Sequence, residues 1–64
     1  MKVNGQEETV FVGMVLLDFL KQAGYNPERI AVERNGSIVS KNDYDKTVLQ
    51  QDDTLEIVQF VGGG

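Results

Sequence analysis

The stretch Ile30-Ala31-Val32-Glu33-Arg34-Asn35-Gly36-Ser37-Ile38-Val39-Ser40 decides the fold. Asn and Gly both tolerate positive φ, which a type I′ turn requires at its two central positions, so Asn35-Gly36 predicts a hairpin. The residues on either side are strand formers: Ile30 to Arg34 leads in and Ser37 to Ser40 leads out. The same signal recurs near the start of the chain. Asn4-Gly5 lies between Met1-Lys2-Val3 and the strand-like Thr9-Val10-Phe11-Val12, which predicts a first hairpin.

Between the two hairpins lies one helical pattern, Met14 to Ala23. At about 100° per residue Val15, Leu16, Phe19, Leu20 and Ala23 form one stripe, as in a helix laid on a sheet, while Asp18, Lys21 and Gln22 point away. Gly13 is the best available N-cap. The exit is better specified: Gly24 suits the left-handed C′ position, Tyr25 can cover the last turn, and Asn26-Pro27 stops the helix.

Downstream of the central hairpin, Lys41 to Asp53 is irregular. Asn42 is expected to cap a single helical turn through Asp45, with Tyr44, Val48 and Leu49 pinning the loop to the core. Thr54-Leu55-Glu56-Ile57-Val58-Gln59-Phe60-Val61 then alternates and is rich in β formers, so it reads as the final strand. The order hairpin, helix, hairpin, loop, strand is an α+β arrangement. A single helix covers one face of such a sheet and leaves the other open.

The composition bounds the function. A chain of 64 residues is one domain, and burying only about 60% of its unfolded surface requires a compact core. It has no Cys and no His, which excludes disulfides and thiolate or imidazole metal sites. Ser37 and Ser40 have no imidazole to activate them, so a self-contained hydrolase is not expected. The net charge of −4 argues against nucleic acid and anionic membrane, and suits a partner with a basic docking patch. No apolar run is long enough to span a bilayer, and the N-terminus lacks the apolar core of a secretory signal; a cytoplasmic location is expected.

Five groups of residues are candidates for chemistry. Asn42-Asp43-Tyr44-Asp45 lacks the glycine and closing glutamate of a calcium loop and reads as a solvated turn, so no metal site is expected. Asp52-Asp53 precedes a strand and reads as a turn, and Glu7-Glu8 reads as a solvated strand edge. On the last strand, if Leu55 and Ile57 face the helix, then Glu56, Val58 and Phe60 face the open side. Val58 and Phe60 there form a docking patch, unless a bulge near Gln59 turns Phe60 inward.

The fifth group is Gly62-Gly63-Gly64. Without side chains it can lie extended in a channel that rejects any Cβ. It ends in a carboxylate ionised at neutral pH, unreactive until ATP turns one oxygen into a leaving group as an acyl-adenylate. The competing reading is a frayed terminus.

Taken together, the Val3-Asn4-Gly5 turn, the Val15-Leu16-Leu17-Asp18-Phe19-Leu20 helix and the Ala31-Val32-Glu33-Arg34-Asn35-Gly36 hairpin are familiar. So is Leu55-Glu56-Ile57-Val58 running into Phe60-Val61-Gly62-Gly63-Gly64. Over essentially its whole length the chain resembles the sulfur carrier proteins of thiamine biosynthesis, the ThiS family, related to the MoaD carriers of molybdopterin synthesis. It departs from the family's frequent Asp-Gly-Asp at Gln51-Asp52-Asp53, and from its frequent Thr near the helix start at Gly13. The resemblance implies a ubiquitin-like β-grasp fold: a mixed sheet of four to five strands, one helix across one face, a domain over residues 1–61 and a flexible glycine tail over 62–64.

It also implies a function. An E1-like adenylating enzyme would use ATP to adenylate the Gly64 carboxylate, and a sulfur donor protein would convert the adenylate to a thiocarboxylate. Thiazole synthase would then take the sulfur. Gly64 would carry the cargo, Gly62 and Gly63 would thread the partner's channel, and Val58 and Phe60 would dock. The chain would be a monomeric protein co-substrate with no catalytic residues and no bound cofactor. A molybdopterin-synthase small subunit, a protein modifier joined through Gly64 to lysines, and a purely structural module remain open alternatives at this point.

Overall fold

The computed structural model describes residues 1–9 and 13–60. Its strands are β1 (Lys2–Val3), β2 (Gln6–Glu7), β3 (Ile30–Arg34), β4 (Ser37–Val39) and β5 (Thr54–Gln59), with one α-helix, α1 (Leu16–Gln22). Short 3₁₀ turns occupy Pro27–Arg29 and Lys41–Asp43. The strands form one sheet in the order β2-β1-β5-β3-β4. β1 runs parallel to β5 and every other neighbour is antiparallel, so the sheet is mixed, as a β-grasp fold requires.

Both Asn-Gly pairs make the expected turns. Asn4 and Gly5 have φ of 51° and 84°, and Asn35 and Gly36 have φ of 53° and 86°. A two-residue turn pairs its flanking residues at once, and this corrects the first hairpin. Its second strand is Gln6–Glu7, with Val3 opposite Gln6 and Lys2 opposite Glu7, rather than a strand beginning at Thr9. Val10 to Val12 lie outside the described residues. Glu7, read as a solvated edge, is exposed on the edge strand β2.

The helix is shorter than the apolar stripe predicts. Met14 and Val15 are extended, because Leu49 N donates to Met14 O and Val15 bridges Val48. Gly13, with φ of 86°, belongs to the preceding turn. Val15 takes the N-cap position and offers no side-chain hydrogen bond. The irregular loop caps the helix instead: Leu16 N donates to Thr47 O at 2.7 Å and Leu17 N to Tyr44 O at 2.9 Å, satisfying two amides that a helix start leaves free. At the other end Gly24 is left-handed, Tyr25 N donates to Leu20 O and Gly24 N to Lys21 O. This is a Schellman ending. Ala23, expected on the buried stripe, is exposed because it falls at this C-cap.

Leu16, Phe19 and Leu20 press on Met1, Val3, Ile30, Val32, Leu55 and Ile57 of the sheet, and Tyr44 and Leu49 of the loop close the core. Burying an aliphatic side chain of this size stabilises the fold by about 1.5–3 kcal/mol before conformational entropy is counted. Val48, expected to join them, is 42% exposed; its backbone holds Val15, and its side chain faces out. Ser40, not Asn42, stands at the N-cap of the turn that follows β4. Among the described residues no helix covers the open face of the sheet.

Candidate functional site

The site is built on β5. Its alternation is as expected: Leu55 and Ile57 are buried against the helix, and Glu56 and Val58 point to the open face. No bulge intervenes. Pairing with β3 continues unbroken from Arg34 opposite Leu55 to Ile30 opposite Gln59, and Phe60 N then donates to Arg29 O at 2.8 Å. Phe60 therefore keeps its outward parity and is 57% exposed, beside Val58 at 60%. Ala31 lies opposite Val58 on the same face. Ile38 on β4 is 78% exposed and extends the apolar surface. Sequence reading missed Ile38, because its place on this face follows from the register of β4 against β3, with Ile38 opposite Glu33.

Gly62, Gly63 and Gly64, the expected tail, lie outside the described residues. The described chain delivers their starting point. Four residues follow Phe60, and fully extended they reach roughly 14 Å.

Two asparagines hold β5 in place by more than their turns. Asn4 Oδ1 accepts from Ile57 N at 2.7 Å while Asn4 Nδ2 donates to Ile57 O at 3.1 Å. This two-way bond extends the β1–β5 ladder beyond the end of β1. At the start of β5, Asn35 Oδ1 accepts from Thr54 N at 2.9 Å, and Asn35 Nδ2 donates to Asp53 at 2.9 Å. Each Asn-Gly turn therefore grips the strand that leads to the tail.

Asp53, read from sequence as a turn residue, is 3% exposed and is the centre of a polar cluster. Its carboxylate accepts from Arg34 Nε, Asn35 Nδ2 and Gln50 N, each at 2.9 Å. Arg34 also donates to Val48 O. Burial alone pushes the Asp53 pKa up. The Gln50 amide, the Asn35 amide group and the Arg34 guanidinium together outweigh burial and hold it below the usual carboxylate range. Asp53 is thus a fully bonded anion that ties the β3–β4 turn to the root of β5. Asp52, its neighbour, is exposed, so the two carboxylates do not form a dyad. In the loop, Asn42, Asp43 and Asp45 are exposed while Tyr44 is buried. Among the described residues no three acidic side chains converge as a metal site would need.

The arrangement offers a strand whose outer face carries Glu56 and Val58, with Phe60 just beyond its end. The model of the ThiS family matches residues 1–64, the tail included. The chain belongs to the ThiS family. Its fold agrees with that of the thiamine biosynthesis protein ThiS from Geobacter metallireducens, whose crystal structure superposes with a TM-score of 0.81 at 29% identity, covering 98% of this chain and 96% of that one. A protein called ycf40 from Trieres chinensis is 34% identical over 97% of this chain and 85% of its own length. A thiazole synthase of Magnetococcus marinus is 44% identical over 62 residues, and one of Paramagnetospirillum magneticum is 39% identical. The ThiS-family chain spans 19% of the length of these two relatives. Among its described residues no helix is long and apolar enough to cross a membrane.

Proposed function

We propose that this ThiS-family chain is a sulfur carrier for building the thiazole of thiamine, and that its cargo rides on Gly64. The observation that supports this most is the family match running through residue 64, so that the glycine end belongs to the matched unit. The Gly64 carboxylate attacks the α-phosphorus of ATP held by an adenylating enzyme and expels pyrophosphate. A persulfide sulfur of the donor protein then displaces AMP to form an acyl disulfide, and a second donor thiol breaks the S–S bond, leaving a thiocarboxylate on Gly64 and a disulfide on the donor. The thiocarboxylate sulfur passes to thiazole synthase. That a thiazole synthase contains a segment 44% identical to this chain favours this destination over molybdopterin synthesis.

The division of labour follows from chemistry. The carrier contributes a carboxylate, a slim approach and a docking face, and does no catalysis; ATP belongs to the partner. Gly62 and Gly63 bring no Cβ into the partner's channel, while Val58 and Phe60 supply apolar contact area. The reaction takes place in the cytoplasm. In-line attack needs the reacting atoms within about 3–3.5 Å and aligned. Deleting Gly64 withdraws the carboxylate by a residue, and appending a residue converts the reactive carbon to an amide. Both changes are expected to abolish carrier-dependent ATP–pyrophosphate exchange by the adenylating enzyme while the melting temperature stays that of the parent. Exchange that persists with either variant refutes Gly64 as the site of activation.

A further inference from the structure

The chain has four asparagines, and two of them, Asn4 and Asn35, precede glycine. Glycine is the neighbour that leaves an asparagine most open to loss of its amide, because it has no side chain to crowd its own backbone nitrogen. That nitrogen attacks the asparagine Cγ, the Cγ–Nδ2 bond breaks, and ammonia departs with the glycine amide proton. Water then opens the cyclic imide to aspartate or, more often, isoaspartate. No other reactant is needed. Asn26 is spared because Pro27 has no N–H, and Asn42 is followed by the bulkier Asp43. Both Asn-Gly turns are exposed, and a Cβ added to Gly5 or Gly36 would meet nothing within 4 Å. Steric cover therefore does not protect either turn.

Hydrogen bonds to the strand do. Asn4 Oδ1 and Nδ2 both bond Ile57, while Asn35 Oδ1 and Nδ2 bond Thr54 N and the Asp53 carboxylate. Ring closure draws Cγ toward the glycine nitrogen, so these bonds have to open first. The products do not fit the same places. Aspartate at position 35 would set a carboxylate oxygen where Nδ2 now donates to Asp53 Oδ1 at 2.9 Å, putting two anions in contact. Aspartate at position 4 would turn an acceptor toward the Ile57 carbonyl oxygen. Isoaspartate adds a methylene to the main chain of a two-residue turn, whose length sets the hairpin register. We propose that Asn4 and Asn35 are deamidation sites held closed by their contacts with the β5 segment. Deamidation then marks chains that have unfolded, and keeps them from regaining the native grip on the strand that leads to the tail.

The full chain is incubated at pH 7, folded in buffer and unfolded in guanidinium chloride, and peptide mass spectrometry follows the amide-to-acid mass change at each asparagine. Asn4 and Asn35 should react about tenfold more slowly in the folded chain, or slower still, the factor that two ordinary hydrogen bonds provide. Equal rates in the two states overturn the proposal. Asp53→Ala removes the acceptor of Asn35 Nδ2 and leaves the Asn4 contacts in place. At a temperature where its melt shows it folded, Asn35 should speed up and Asn4 should not. No change at Asn35, or an equal rise at both, overturns the role of the β5 contacts. Asn35→Asp reproduces one product and should unfold at a lower urea concentration than the parent at pH 7, or fail to fold. A midpoint equal to the parent's shows that the fold accepts the product and overturns the marking of unfolded chains.

Discussion

Replacing Asp53 by Ala removes one buried carboxylate and leaves three donors facing the gap: Arg34 Nε, Asn35 Nδ2 and Gln50 N. Breaking a buried ion pair by deleting one member costs about 3–5 kcal/mol. Arg34 keeps 30% of its side chain in water and can rehydrate, which lowers the figure. A loss of about 2–4 kcal/mol at pH 7 is expected, a large share of the stability of so small a domain. With about 4–8 °C per kcal/mol at this size, the melting temperature should fall by at least ~8 °C. The pH dependence carries its own sign. The folded pKa of Asp53 lies below its ordinary value, so its stabilisation is present above the unfolded pKa, about 3.9. It is lost as pH falls through the lower folded value. Urea unfolding of parent and Asp53→Ala from pH 7 downward should therefore show a gap that is constant near neutrality and narrows below about pH 4. A cost under about 0.5 kcal/mol at pH 7, typical of an unengaged surface residue, would refute the clamp. So would a gap that ignores pH across that window.

Further expectations follow from single positions. Phe60→Asp should leave urea stability within about 0.5 kcal/mol, since the ring is already exposed, yet weaken binding to the adenylating enzyme; a loss of about 3 kcal/mol or more in the same unfolding curve would mean the ring is buried. Asn4→Ala should cost about 1–3 kcal/mol in denaturant unfolding, because Ile57 N and O lose their side-chain partner. Hydrogen exchange at Ile57 should rise with it, and unchanged protection there would show that β1 holds β5 without Asn4. Gly24→Ala meets no atom within 4 Å of the new Cβ, so its expected cost of about 1–2 kcal/mol is the left-handed backbone alone; a neutral result in thermal melts would contradict the Schellman ending.

Local signals were the legible ones. Asn4-Gly5 and Asn35-Gly36 specify their turns by φ alone, the Leu16–Leu20 stripe specifies the helix, and alternation along β5 places Val58 and Phe60 outward. The start of the first hairpin's second strand and the exposure of Ala23 turn on local geometry, whereas the other misses come from contacts between residues far apart in sequence. Gly13 looked like the N-cap, whereas Thr47 O and Tyr44 O, from the loop after β4, cap the helix. Nothing near Asp53 announces that Arg34 and Asn35 will surround it. Likewise Asn4 reaches Ile57 only because β1 pairs in parallel with β5 at the opposite end of the chain. The exposed apolar face was half visible: alternation gave Val58 and Phe60, while the place of Ile38 depends on cross-strand register.

Mass spectrometry of the intact chain tests the sulfur-carrier account most directly. The chain is incubated with ATP, its adenylating enzyme and a sulfur donor, and should gain the mass of one oxygen-to-sulfur exchange, placed on Gly64 by fragmentation. With no cysteine anywhere in the chain, a persulfide on this protein cannot imitate the signal. An unmodified C-terminus under those conditions, or sulfur found on any other residue, contradicts the account.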